Sequence, residues 1–283
     1  MKIAILILTL SCIPFPVFAQ APLSRDEALK QIYNKFDPEK KTAQWVCSKG
    51  QDKSLLHDGW PCRKEDSTVS VSILLSAEVA ENGLERVYFA SSAKPANDPL
   101  GYECHACRPA IGAGVFEWKE GRWELQSVNP AVGFYGGYGS PPEIDFVTVG
   151  PEKHGLMLST GDLAQGYAFS GKVLLLPIGQ TVCEVWSIGV GSDNEGAYEP
   201  ADKSQVAYSS SAALNFTYSD SSEGSPDYYD IEVLSRGQDR KDLNHPVRAE
   251  NWTEIYRFTE GKYRLLRHID FVETRGQKRI STK

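Results

Sequence analysis

The chain has 283 residues, with 37 acidic and 30 basic side chains and a formal net charge of −7. A net acidic protein gains nothing from the counterion release that drives nucleic-acid binding, and an anionic lipid surface repels it. Length and charge therefore predict a protein that can bury a substantial core, with no nucleic acid among its partners.

Residues 1–19 have the three parts of a secretory signal peptide. Lys2 gives a positive start, residues 3–10 are apolar but too short to span a bilayer, and helix-breaking prolines precede Ala19. The pattern predicts cleavage before Gln20 and a periplasmic or secreted mature protein. A lipid anchor on Cys12 and a buried amino-terminal element stay open as alternatives. No later stretch is apolar enough to predict a membrane span.

Residues 20–66 are predicted to form a helix followed by a cysteine-containing loop segment. Ser24 and Glu27, three residues later, make a capping box at the start of the helix. Pro38 is expected to end the helix. One apolar face would consist of Ala28, Leu29, Ile32 and Tyr33.

Residues 67–283 show the alternation and β-rich runs of an all-β domain. Within them, residues 115–125 align without gaps with residues 255–265, and both segments have alternating aromatic residues around a central Glu-Gly. Each segment predicts a β-hairpin, because glycine tolerates the positive φ of a tight turn. Strand-like segments precede both hairpins. The sequence therefore predicts an internal repeat of four-stranded meanders over about 67–128 and 204–269.

A third set of strand-like segments lies between residues 144 and 188. Three meanders are too few for an ordinary propeller, which has about 4–8 blades. The predicted fold class is all-β: duplicated antiparallel four-stranded meanders, sandwich-like or propeller-like, with one short N-terminal helix.

The cysteines that follow the signal peptide are expected to pair, because an oxidising compartment favours disulfides. Cys47 and Cys62 could close a local loop of about 15 residues, worth about 3 kcal/mol of stability. Cys104 and Cys107 are the second candidate pair. The odd number leaves Cys183 without an assigned partner.

The motif Cys104-His-Ala-Cys107 allows several interpretations. A structural disulfide is favoured, while a metal site that includes His105 and a redox-active dithiol stay open. No second ligand pair stands at zinc spacing. The Cys-x-x-Cys spacing resembles the active centre of thiol-disulfide oxidoreductases. That chemistry needs the cysteine pair at the start of a helix, whereas residues 108–114 lead directly into a predicted strand. Haem attachment is excluded because arginine, not histidine, follows Cys107.

No motif predicts catalytic residues. The chain contains no Gly-x-Ser-x-Gly elbow, no His-Glu-x-x-His zinc helix and no phosphate loop. The histidines are scattered, and none lies in a sequence pattern with an acid. We therefore assign no catalytic residue, no metal ligand and no cofactor. Carboxylates are numerous, so a catalytic pair of the glycosidase type stays open. A calcium site at the acidic loops 193–196 and 220–223 is not favoured, because their acidic residues do not have the spacing of a calcium-binding loop.

Residues 133–142 combine glycines with aromatic side chains. Phe134, Tyr135 and Tyr138 are candidates for a ligand-binding loop that stacks on a sugar or a peptide. The alternative is a long connection between meanders whose aromatic residues cover the edge of the core.

The run from Cys104 to Ala113, the aromatic hairpin after it and the glycine-rich loop resemble a group of uncharacterised exported bacterial β-rich proteins with a Cys-His-x-Cys motif. The resemblance covers about residues 85–160. It implies export and a β fold. It transfers no catalytic residue, because that group has no established activity.

These features together predict an exported protein that acts by non-catalytic binding to a protein or another cell-envelope component. The expected form is an inhibitor or neutraliser of an envelope-active enzyme or toxin. The alternative is a periplasmic hydrolase of cell-wall carbohydrate or peptide, with its carboxylates spread over loops.

Overall fold

The computed structural model describes residues 21–33, 35–46, 68–97, 102–199, 207–218, 227–239, 248–249, 251–274 and 277–282. The predictions for the signal peptide and for Cys47 and Cys62 lie outside these residues. The fold is all-β and sandwich-like, as predicted, and the described part contains one short helix, α1 (Arg25–Ile32). This helix is too short and too polar to cross a membrane.

Two antiparallel sheets contain all the strands of the described residues. The first sheet has six strands, which lie in chain order: β1 (Phe36–Asp37), β2 (Thr42–Val46), β3 (Thr68–Glu81), β4 (Leu84–Pro95), β5 (Ala110–Lys119) and β6 (Arg122–Phe134).

The second sheet has ten strands. They are β7 (Glu143–Gly150), β8 (Lys153–Ala164), β9 (Tyr167–Ile178), β10 (Thr181–Asp193), β11 (Ser209–Thr217), β12 (Asp230–Asp239), β13 (Arg248–Ala249), β14 (Trp252–Thr259), β15 (Lys262–Thr274) and β16 (Gln277–Thr282). They also lie in chain order, except that β13 pairs with β12 off the main path.

Three successive meanders pack against one another, and we call them layers: β3–β6 of the first sheet, then β7–β10, then β11 to β15 without β13. The second and third layers are parts of the same ten-stranded sheet, joined through β10 and β11. The middle layer is buried on both faces. Leu156 and Leu158 pack with Tyr88 of the first layer, while Met157 between them packs with Ile231 of the third. A strand covered on both faces needs apolar residues at every position, and this accounts for the unbroken run Val173–Leu176 in β9.

Helix α1 covers the outer face of the first sheet. Ser24 accepts a hydrogen bond from the Glu27 amide at 3.1 Å, which is the predicted N-cap. The helix ends at Ile32 and not at Pro38, because Tyr33 is extended and inserts its ring into the core. The Tyr33 hydroxyl lies 2.7 Å from Ser91 Oγ. Gly112 leaves the space for this hydroxyl, because a Cβ at position 112 would lie only 2.1 Å from it.

The two aligned segments form hairpins with the same turn and the same register. Both turn residues have positive φ in each case, 49° and 84° at Glu120 and Gly121, and 51° and 80° at Glu260 and Gly261. This is the pattern of a type I′ turn. Counted from the turn, the facing residues are Lys119–Arg122, Trp118–Trp123, Glu117–Glu124 and Phe116–Leu125 in one hairpin, and Thr259–Lys262, Phe258–Tyr263, Arg257–Arg264 and Tyr256–Leu265 in the other; both have a bulge directly after the fourth pair.

The aromatic pairs of the two hairpins also have the same geometry. The rings of Trp118 and Trp123 lie 5.4 Å apart at 66°, and those of Phe258 and Tyr263 lie 5.3 Å apart at 69°. In each pair the second ring is buried. A common origin of the two meanders by duplication stays a prediction.

Candidate functional site

The glycine-rich aromatic loop is docked on the disulfide loop. Cys104 and Cys107 are joined by a disulfide, and β5 begins three residues later at Ala110, without an intervening helix. The Gly139 amide donates a hydrogen bond to the Cys107 carbonyl at 2.7 Å. Gly139 has a φ of 68°, and a Cβ there would lie 1.4 Å from the Tyr102 carbonyl oxygen. This close approach requires glycine, so the two loops form one unit.

The three aromatic candidates of this loop have different environments. Phe134 is 8% exposed and belongs to the core under α1. Tyr135 is half-buried, and its hydroxyl donates a hydrogen bond to the Glu184 carboxylate; burial and this contact raise the pKa of Tyr135 well above its usual range. Tyr138 is 54% exposed. Only Tyr138 therefore presents most of its ring to solvent.

A shallow groove of about 520 Å³ begins beside this loop and crosses β8, β9 and β10. Its floor is made of small residues, among them Gly161, Ser170, Gly171, Ser187 and Gly189. Phe134 and Tyr135 line one side, and Phe169, which is 51% exposed, lies on the hairpin of β8 and β9. Lys172 lies on the floor and donates to Ser159 Oγ at 2.6 Å.

Two exposed aromatic side chains lie near one corner of this groove. Tyr138 and Phe169, which we call the corner patch, are 54% and 51% exposed. His105 and Asp162 lie between them, since the His105 ring lies edge-on to Tyr138 at 5.1 Å, its Nε2 lies 3.1 Å from Asp162, and Asp162 faces Phe169 across the strand pair. His105 Nε2 also donates to the Leu163 carbonyl at 2.6 Å, but the Leu163 side chain lies on the face of the hairpin opposite to Asp162 and Phe169.

Charged groups border the corner patch. Asp162 accepts a hydrogen bond from Arg108 at 3.1 Å, and its other oxygen lies 3.1 Å from His105 Nε2. These three side chains are each about 40% exposed. Arg108 therefore has donors left for a partner, and the patch has a polar rim.

A second concave site, which we call the His154 cavity, lies where the three meanders meet. Its volume is about 330 Å³. Glu81, Arg86, Tyr88 and Glu117 of the first meander line it together with Lys153 and His154 of the second and Tyr228 beside the third. The β3–β4 and β7–β8 turns close over one side, since the Asn82 amide donates to the Glu152 carboxylate at 3.0 Å.

One hydrogen-bonded network runs through the wall of the His154 cavity. Arg86 donates to Glu81 at 3.0 Å and, through two nitrogens, to Glu117 at 3.0 and 2.8 Å. Tyr88 donates to the other oxygen of Glu81 at 2.7 Å, and Lys119 holds Glu117 at 2.7 Å. Glu81, Tyr88 and Glu117 are at most 3% exposed. Burial next to Glu81 raises the pKa of Tyr88, so its hydroxyl stays protonated.

His154 also lines this wall, but its ring nitrogens form none of the hydrogen bonds of this network. Its ring stacks on Phe146, 5.0 Å away at 8°, and meets Tyr88 edge-on at 6.3 Å. Nδ1 lies 3.6 Å from Glu81 Oε2, too far for a hydrogen bond, and is buried without a partner among the described residues.

Three histidines lie beside carboxylates, although no sequence pattern singled them out. His105 lies beside Asp162, His154 beside Glu81, and His268 bridges two carboxylates. The acid is far away in sequence for His105 and His154, whereas His268 lies between Glu254 of the neighbouring strand and Asp270, two residues further along its own strand. The described part of the chain contains no group of three or more His, Cys, Asp and Glu side chains placed to hold a metal ion.

No protein-family model, no curated protein and no solved structure matches this chain. The function of the groove with its corner patch and that of the His154 cavity therefore have to be inferred from their own geometry.

Proposed function

We propose that this protein is an exported binding protein that engages a protein of the cell envelope through the corner patch and the adjoining groove. The observation that carries the proposal is the pair of exposed aromatic side chains beside the groove. Among the described residues, eight large hydrophobic side chains are exposed, and two of them, Tyr138 and Phe169, flank His105 and Asp162 at one corner of the groove. Scattered exposed apolar residues need no explanation, whereas a connected group bordered by polar residues is typical of an interaction site.

The composition of the site supports a protein partner. Two aromatic anchors, an arginine and a polar rim are the residue types enriched where binding energy is concentrated. The groove beside the patch has room for a projecting side chain or loop of the partner.

The rigidity of the site supports an inhibitor or neutraliser of an enzyme or toxin. The disulfide, the amide contact between Gly139 and Cys107 and the contact from His105 to Leu163 fix three loops relative to one another. A preorganised surface loses little conformational entropy on binding, which favours tight and lasting complexes.

The test compares three proteins: the wild type, the double variant Tyr138→Ala/Phe169→Ala, and the control variant Tyr218→Ala/Leu265→Ala. The control side chains are 75% and 52% exposed but lie outside the patch. Each tagged protein captures partners from an envelope extract, and the affinity of the purified partner is then measured by calorimetry.

We expect the wild type and the control to capture the same protein and the patch variant to lose it. The dissociation constant should rise about 100-fold in the patch variant, the loss of about 2.7 kcal/mol that two anchors supply. Equal binding by the patch variant, or equal loss in the control, would contradict the proposal.

A further inference from the structure

The His154 cavity has the size and lining of a small-molecule site. Its volume of about 330 Å³ falls within the range of small-molecule pockets. Its lining is mainly polar and contains two nearly fully buried carboxylates. Buried charges cost free energy of folding, and their concentration around one cavity points to a site with a function.

The orientation of His154 is fixed from three sides. Phe146 holds the plane of the ring by stacking, and Tyr88 borders its edge. Glu81 lies next to Nδ1, and its own position is set by hydrogen bonds from Arg86 and Tyr88. A carboxylate beside Nδ1 favours the tautomer with the proton on Nδ1, and Nε2 is then left with a lone pair. Distances of this kind are commonly long before a substrate binds.

We propose that the His154 cavity is a hydrolytic site for small esters of polar alcohols, with His154 as the general base and Glu81 as its positioning residue. This activity goes beyond the proposed binding function and does not depend on it. It gives the hydrolase alternative a location that the sequence did not indicate.

The reaction needs only water as co-reactant. A water oxygen forms a bond to the ester carbonyl carbon while its proton passes to Nε2 of His154. The negative charge on the carbonyl oxygen of the tetrahedral intermediate is stabilised by cations of the lining, Arg86 and Lys153. When the intermediate collapses, the bond from carbon to the alcohol oxygen breaks, and the proton on Nε2 passes to that oxygen. The products are a carboxylic acid and an alcohol, and His154 is regenerated.

The charges of the lining indicate the class of substrate. Glu81 and Glu117 are balanced by Arg86 and Lys153, so the cavity offers no net charge to an ionic ligand. Polar side chains, among them Gln126 and Gln180, suit a neutral molecule rich in hydroxyl groups. The volume limits the acyl group to a short one, such as acetyl.

The experiment measures steady-state hydrolysis of p-nitrophenyl acetate over many equivalents, and acetate release from glucose 6-acetate. The mature wild-type protein is compared with His154→Gln and Glu81→Gln and with the control His268→Gln, which removes another histidine held by carboxylates. Free imidazole at the same concentration gives the background rate. Melting curves show whether each variant is folded.

We expect turnover of both esters above the imidazole background, at least about a 100-fold loss in His154→Gln, and an unchanged rate in His268→Gln. Glu81→Gln should lower kcat and leave KM nearly unchanged, because Glu81 positions the base and does not contact the substrate. The Tyr138→Ala/Phe169→Ala variant should keep the full rate, which separates this site from the binding surface.

A second measurement needs no variant. Diethyl pyrocarbonate acylates neutral imidazole nitrogens, and peptide mass spectrometry locates the modified residue. Ester turnover should fall in proportion to modification of His154. Turnover that survives complete modification of His154, a wild-type rate equal to that of imidazole, or an undiminished rate in folded His154→Gln would each overturn the proposal.

Discussion

Replacing Arg86 by methionine should destabilise the protein strongly, because this one guanidinium neutralises two buried carboxylates. The side chains of Glu81 and Glu117 are 1% and 4% exposed, and Arg86 donates three hydrogen bonds to them. Methionine keeps the length and packing of the arginine stem, so the loss is mainly electrostatic. Removing one partner of a buried ion pair costs about 3–5 kcal/mol.

The remaining partners of the two carboxylates set the size of the loss. Glu117 keeps Lys119 at 2.7 Å, whereas Glu81 keeps only the neutral hydroxyl of Tyr88 as a hydrogen-bond donor among the described residues. Most of the cost therefore comes from Glu81. Since domains are stable by only about 5–15 kcal/mol, Arg86→Met should remain folded but lose a large part of its margin.

The loss should depend on pH. Desolvation alone would raise the pKa of Glu117, but hydrogen bonds from Lys119 and Arg86 and their charges outweigh it, so the pKa lies below its usual value. A carboxyl whose folded pKa is lowered stabilises the protein above its unfolded pKa of about 4.3, and this contribution disappears as the pH falls through the folded pKa. In Arg86→Met, Glu117 loses the contacts from Arg86 that help to lower its pKa, so its protonation in acid removes less stability than in the wild type. The deficit should therefore be largest near neutral pH and shrink in acid.

Urea unfolding followed by tryptophan fluorescence at pH 7 and pH 4 measures both effects. The control is Arg122→Met, since Arg122 is 72% exposed and its ion pair with Glu124 is worth less than about 1 kcal/mol. A deficit of Arg86→Met below about 1 kcal/mol at pH 7, or an equal deficit at both pH values, would refute the reasoning.

Four further predictions follow from other parts of the molecule. Arg257→Met leaves Asp230, 8% exposed, without its two hydrogen bonds and should lower the free energy of unfolding by about 3–5 kcal/mol in the same urea assay. Cys104→Ser should lower the melting temperature, with a cost of about 2 kcal/mol for so short a loop, and the wild type should not reduce insulin. Hydrogen bonds to Asp270 and Glu254 raise the pKa of His268, so the protonated histidine stabilises the folded protein by less than about 1 kcal/mol. The destabilisation by His268→Gln should therefore be complete below about pH 6.5 and should vanish as the pH rises through the raised pKa. A destabilisation that grows with pH would contradict this. Mass spectrometry of the exported protein should give a mature chain that starts near Gln20, and an intact Met1 or a lipid on Cys12 would rule this out.

The sequence was sufficient for the fold because its signals are local. Alternating aromatic residues around Glu120-Gly121 and Glu260-Gly261 define the hairpins, and such turns fix the register of their strands. The unbroken apolar run Val173–Leu176 carries a further signal. Since it does not alternate, it indicates a strand buried on both faces, and hence a third layer.

The His154 cavity could not be predicted in the same way, because its residues meet only through layer packing. Glu81 directly precedes the turn at Asn82-Gly83, where a carboxylate is expected to face solvent, yet it is 1% exposed. The adjacent meander covers it with His154, and Tyr228 approaches from the third. Sequence patterns specify which face of a strand is apolar, but they do not specify which distant turn lies over its end.

The buried ion pairs occur at matching places in the first and third meanders, and one of them lines this cavity. Arg86 lies one residue before the facing pair Val87–Phe116 and binds Glu117, while Asp230 lies one residue before the facing pair Ile231–Tyr256 and binds Arg257. The two pairs occupy the same place in their meanders with the charges exchanged between strands. Exchange of both signs preserves the attraction within a pair, so it is compatible with retention of the geometry. In the first meander the arginine also binds a second buried carboxylate, Glu81, at 3.0 Å. Glu81 lies beside His154, and through Glu81 the ion pair of Arg86 and Glu117 becomes part of a candidate active site.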